Sequence, residues 1–190
     1  MFDKSLKERE ELLQIIGSSF NKTFDNVVNS VSESVKKGNH LYFAGNGGSA
    51  AEAQHMSAEY LATLNHNNFR KGIKALALTT DTSFLTAWTN DFGYDDVFSR
   101  QLETFAEEGD IFFAYSTSGN SKNILRAIEV AKSLDVFVVG FTGNSGGLMK
   151  EICNECFIIP SQKTTLIQEV HTILGHELCS NIEKRIFFND

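Results

Sequence analysis

Three stretches of this chain carry residues whose types and spacing suit chemistry. His55 and Glu59 stand four residues apart in a helical pattern, so an imidazole and a carboxylate share one face. Such a pair can pass a proton or offer nitrogen and oxygen to a metal, although by spacing alone it is more often just a partly exposed helical face. The helix opens directly out of a glycine-rich turn, Gly45-Asn-Gly-Gly-Ser-Ala50, that ends a short apolar run. A strand, tight turn and helix start of this kind aim backbone N–H groups and the positive end of a helix dipole at an anion. The second stretch, Ser116-Thr-Ser-Gly-Asn-Ser121, sets four hydroxyl residues in six positions between an apolar strand and a helix. Hydroxyl and N–H donors converge there into a nest for phosphate built without cationic side chains, whereas capping and turn formation need only one or two of the four. The third holds Gln168-Glu-Val-His171 and His176-Glu177. Gln168 and His176 are eight residues apart, or ~12 Å of rise and ~80° of rotation, which one helix brings to a single point only with difficulty. His171 follows the other face and reads as a packed or capping histidine, and His40 and His66 join no constellation.

The elements that must position these residues read as α/β. Strands are expected at 40–44, 74–79, 111–115, 136–142 and 156–159, separated by helices at 49–61, 81–88, 97–106, 122–134 and 148–152, with a long last helix over 164–187. Residues 62–72 are polar and turn-rich and read as a loop. Alternation of this kind implies a five-stranded parallel sheet in a three-layer α/β/α sandwich, with ligands beyond the carboxyl ends of the strands. Ahead of it, apolar residues from Leu6 to Val35 at spacings of three and four make one or two amphipathic helices, interrupted at Gly17 and closed by Lys36-Lys-Gly38. This is an N-terminal arm, residues 1–38, before a core of 39–190 in a single domain; the arm can pack on its own sheet or on another subunit.

Several function classes are set aside by the same residues. Gly45 to Ala50 satisfies G-x-G-x-x-A, yet no acidic residue closes a second strand near 65–70, and no Gly-Lys-Ser/Thr follows, so dinucleotide and P-loop readings lack support. A net charge of −7 with scattered lysine and arginine leaves no electrostatic footprint for nucleic acid or an anionic membrane. No apolar run approaches a membrane span, and the charged N-terminus lacks a signal-peptide core, so a cytoplasmic protein is expected. Cys153 and Cys156 form a C-x-x-C without a second pair, which reads as buried or idle thiols at a strand edge.

Leu41-Tyr-Phe-Ala-Gly-Asn-Gly-Gly-Ser49, Asn90-Asp-Phe-Gly93, Ser116-Thr-Ser-Gly-Asn-Ser121 and Ile167-Gln-Glu-Val-His171, in this order and at these separations, resemble the sugar isomerase (SIS) domain family. The resemblance covers essentially the whole chain and is nearest to members that interconvert sedoheptulose 7-phosphate and D-glycero-D-manno-heptose 7-phosphate through an enediol, for surface glycans such as lipopolysaccharide or capsule. It implies a flavodoxin-like fold and a homotetramer with sites between subunits. It implies sugar contacts from Asn46, Gly47, Gly48, Asn90, Asp91 and Gln168, and phosphate contacts from Ser116, Thr117, Ser118 and Ser121. Glu59 matches the catalytic glutamate, also in contact with substrate, and His176 the catalytic histidine. His55, Glu59, Gln168 and His176 match the family's zinc ligands. Thr63 and Thr165 stand where many members carry arginine and aspartate. Other members are tetrameric scaffolds, such as the DnaA initiator-associating protein; they lack counterparts of Glu59 and His176, whose presence favours an enzyme, though another ketose phosphate stays open as substrate.

Overall fold

A computed structural model describes residues 2–67 and 69–188; Met1, Asn68, Asn189 and Asp190, at the ends of the 1–190 span and in the 62–72 loop, lie outside the described residues. Five short apolar runs pair as strands: β1 (Leu41–Ala44), β2 (Ala75–Ala77), β3 (Ile111–Tyr115), β4 (Phe137–Gly143) and β5 (Glu155–Ile159). All are parallel, in the order β2-β1-β3-β4-β5. β2 is shorter than the apolar run suggests because the chain turns away after Ala77, although Leu78 still donates its N–H to Phe43 O. The helices are α1 (Phe2–Ser19), α2 (Asn21–Lys36), α3 (Gly48–Leu61), α4 (Thr82–Phe92), α5 (Ser99–Phe105), α6 (Lys122–Ser133), α7 (Met149–Ile152) and α8 (Thr164–Glu183).

Alternation along each strand splits the core into two layers. Leu41, Phe43, Ile111, Phe113, Tyr115, Phe141 and Phe157 face α1, α2, α3 and α8, whereas Tyr42, Ala44, Phe112, Ala114 and Val138 face α4 to α7. Aromatic rings cross the first layer from strand to strand, with Phe43 stacked on Phe113 at 4.7 Å and Tyr115 on Phe141 at 4.6 Å. The N-terminal segment packs on its own sheet through Val27, Val28 and Val31 of α2. Its break falls at Phe20 and not at Gly17, which stays helical; the Phe20 ring turns in to meet Phe157 edge-on at 5.5 Å. α8 ends at Glu183, short of the expected Phe187, and the chain continues as a π-helical turn, Lys184–Phe188.

His171 of α8 is buried, 1% exposed, against the rings of Tyr115 and Phe141, with Nε2 donating to Thr142 O at 3.2 Å. Desolvation lowers its pKa from 6.5 to about 4, so it is neutral at pH 7. Between those values the unfolded chain binds a proton that the folded chain refuses. The stability held above pH 6.5 is therefore lost as pH falls to 4, by about 3 kcal/mol at one pKa unit per 1.36 kcal/mol. Urea unfolding from pH 7 to 4 should show this slope, flattened in His171→Gln; the same slope in both proteins would contradict the assignment.

Candidate active site

The order β2-β1-β3-β4-β5 reverses between β1 and β3, and the loops leaving these two strands are the glycine turn and the serine loop. A parallel sheet splays its crossovers apart at such a point and leaves a crevice there. Gly47 opens α3 at φ +56, a conformation that a Cβ would strain, and no side chain caps the helix. The N–H groups of Ser49, Ala50 and Ala51 are taken by Asn46 O and Gly47 O, which leaves the Gly48 N–H at the helix start for a ligand.

α3 and α8 follow β1 and β5, pack on the same layer and run side by side in the same direction. Their contacts recur at a near-constant offset in sequence. Gln168 lies against Gly48, where a Cβ would sit 2.5 Å from Gln168 Nε2. Thr172 Oγ1 donates to Glu52 Oε2 at 2.6 Å, and His176 meets His55 with 3.3 Å between their Nε2 atoms. Next to His176, a Cβ on Gly175 would fall 2.3 Å from Met56 Sδ, so the absent side chain sets how closely the helices approach.

This register brings together three of the expected residues in one cluster. Glu59 Oε1 is 3.5 Å from His55 Nε2, and one ligand atom each from His55, Glu59 and His176 lies within 4.8 Å of the others. Two imidazole nitrogens facing one another beside a carboxylate either share a proton or converge on a cation, and this nitrogen and oxygen set fits a divalent metal. Gln168, two turns before His176 on α8, lines the same cleft as His55. That cleft, of about 430 Å³, is lined also by Gly48, Glu52 and Thr165.

The other residues of the sequence reading form a second group. Ser116 Oγ is 2.9 Å from Ser121 Oγ and 3.4 Å from Ser118 Oγ. Ser121 precedes α6 but its hydroxyl does not cap it, so the first N–H groups of that helix face the loop uncapped. Gly119 holds φ +67 where a Cβ would lie 2.0 Å from Gly146 O, and the loop is thereby seated on the β4–α7 turn. Thr117 is half-buried in the same loop. Asn46 exchanges side-chain hydrogen bonds with Asn123 at 2.9 and 2.8 Å, and its Oδ1 accepts from Tyr94 Oη at 2.9 Å. Asn90 and Asp91 are exposed at the end of α4 and bonded to each other at 2.8 Å; among the described residues neither is hydrogen-bonded to the glycine turn or the serine loop. Thr63 follows α3 and donates to Asn65 O at 3.3 Å.

Sequence reasoning missed Glu52, Thr172, Asn123 and Tyr94. Glu52 stands one turn before His55, with Oε2 3.9 Å from His55 Nδ1, and i−3 spacing was the available signal. Nothing local marks Asn123, which is buried one residue inside α6.

The SIS domain family pattern matches residues 6–143. The chain belongs to this family. Among its members, the phosphoheptose isomerase of Aneurinibacillus thermoaerophilus is 45% identical over 180 residues, covering 95% of this chain and 86% of the relative. That of Burkholderia pseudomallei strain K96243 is 47% identical over 165 residues, covering 87% and 83%. The solved structure of phosphoheptose isomerase from Neisseria gonorrhoeae superposes with a TM-score of 0.90 at 32% identity, over 96% of this chain and 97% of that one. A SIS sheet with helices on both faces is thus common to both. Within this SIS domain, Gly175→Ala should force α8 away from Met56 at about 1–3 kcal/mol of overpacking. Affinity of the His55, Glu59 and His176 group for a divalent metal, read by competition with a chromophoric chelator, should fall at least ~10-fold. Parental affinity in the folded variant would show that the close approach is unnecessary.

Proposed function

We propose that this chain isomerises sedoheptulose 7-phosphate to D-glycero-D-manno-heptose 7-phosphate, in α and β forms, as the first step toward activated heptose for lipopolysaccharide, capsule or another surface glycan. The observation that carries the reading is the convergence of His55, Glu59 and His176 within 4.8 Å, in a chain 45% identical to a phosphoheptose isomerase over 95% of its length. The protein acts as a single SIS domain, 1–190, in a cytoplasmic homotetramer whose sites lie between subunits, consistent with the exposed Asn90 and Asp91 reaching sugar on a neighbour.

Phosphate binds Ser116, Thr117, Ser118 and Ser121, using their hydroxyls and the uncapped N–H groups of α6. Remote binding of this kind fixes the reacting carbons against the catalytic groups. Asn46, Gly47, Gly48 and Gln168 line the sugar. The Asn46 amide is held by Asn123 and Tyr94, which leaves one N–H to meet a sugar hydroxyl. His55, Glu59, Gln168 and His176 would hold zinc, which when bound supplies Lewis acidity to the substrate carbonyl.

Glu59 takes the C1 proton, and the C–H electron pair becomes the C1–C2 double bond of an enediol as O2 gains a proton from His176. His176 then takes the O1 proton, a carbonyl forms at C1, and Glu59 returns its proton to C2. Atoms balance without an outside reductant. Glu59→Gln should lower kcat by at least ~10³-fold, since its amide cannot accept the proton, while phosphate-dependent binding persists. Conversion followed by NMR and binding followed by calorimetry check both halves; normal turnover in the variant would sink the assignment.

A further inference from the structure

A charged pair buried on the layer that holds α3 and α8 is not used by the reaction. Arg70 and Glu183, in the loop after α3 and at the last residue of α8, have side chains 1% and 3% exposed. Arg70 Nε donates to Glu183 Oε1 at 2.7 Å, and Nη2 is 2.6 Å from the same oxygen. Its remaining donors go to backbone: Nη1 to Tyr60 O at 2.8 Å and Lys71 O at 3.1 Å, and Nη2 to Glu59 O at 3.0 Å. Glu183 Oε1 also accepts the Leu64 N–H at 2.9 Å, and the Phe187 ring of the π-helical turn lies 5.5 Å from the guanidinium.

One guanidinium thus fastens the carbonyl end of α3, Glu59 included, to the carboxylate end of α8. Glu183 is seven residues beyond His176, so the two share a face, ~20° apart and ~10.5 Å along the helix. The clamp therefore lies in line with the cluster, two turns further on, on the two helices whose spacing sets the cluster. A buried ion pair is poor evidence of a stabilising role, because apolar residues of similar volume often replace one without loss. Apolar residues cannot, however, supply a donor to the Glu59 carbonyl, which the helix end leaves without a partner inside the helix, whereas Tyr60 O keeps the Ile73 N–H at 3.0 Å.

We propose that Arg70 and Glu183 are positioning residues, which fix Glu59 of α3 against His176 of α8 and so set metal affinity and turnover in addition to stability. The inference rests on the isomerase reading for turnover, but its metal-binding arm does not.

The test is Arg70→Met with Glu183→Leu, which removes both charges and the carbonyl bonds while keeping the volume apolar. The thermal midpoint should stay within about 5 °C of the parent. Zinc affinity, measured with a competing chelator, should fall ~10-fold or more, and kcat by a similar factor with KM little changed. A folded double variant with parental zinc affinity and parental kcat would overturn the proposal and leave a purely structural pair. Should that variant fail to fold, Arg70→Lys decides: it keeps the charge opposite Glu183 but cannot span the carbonyls, so weakened zinc binding supports the proposal and parental binding refutes it. An inactive parent would count against the isomerase reading alone, because the zinc comparison still reports on the clamp.

Discussion

Everything at the site depends on how closely α3 can lie against α8. The two helices arise from β1 and β5, at separated positions in the sheet, and must still meet with 3.3 Å between His55 and His176. Gly175 makes that possible, because a Cβ there would fall 2.3 Å from Sδ of the buried Met56, whereas at the other end Gly48 faces only the movable amide of Gln168. Thr172 and Glu52 fasten the pair between these contacts. Running in one direction, the helices meet about once per turn on the same faces, so the site is a seam and not a point. Helix packing of this closeness is stiff, since interiors at crystal-like density leave no room to slide.

The seam also explains a division of labour across the sheet's switch point. The serine loop after β3 offers hydroxyls and the bare start of α6, a setting for an anion in a protein with a net charge of −7. The glycine turn after β1 joins the two regions: Asn46 is tied to Asn123 of α6, while Gly48 backs Gln168 of α8. A ligand spanning both loops would have its charged end held by α6 and its other end presented to the imidazoles and carboxylate. Binding energy gathered at one end can then be used as orientation at the other.

Much of this was legible in the residues. Short apolar runs between glycine turns gave five strands and their crossovers, and i, i+4 spacing put His55 and Glu59 on one face. Periodicity names a face but not its partner, which is why the eight-residue gap between Gln168 and His176 looked hard to reconcile. α3, running alongside, gives each residue its own neighbour, Gly48 for Gln168 and His55 for His176. Phe20 took the helix break from Gly17 because a ring that packs on Phe157 outweighs local helix propensity. Asn123 and the Arg70–Glu183 pair left no local signal; their partners lie far away in sequence, and only the fold brings them together.

The central claim is that the seam removes a carbon-bound proton from a ketose phosphate with metal assistance. Its most direct measurement is deuterium incorporation at C1 of sedoheptulose 7-phosphate in deuterated water, with zinc-replete protein and again after chelation. The account predicts rapid exchange in the first case, its loss in the second, and recovery when zinc is restored. No exchange in zinc-replete, folded protein would contradict it.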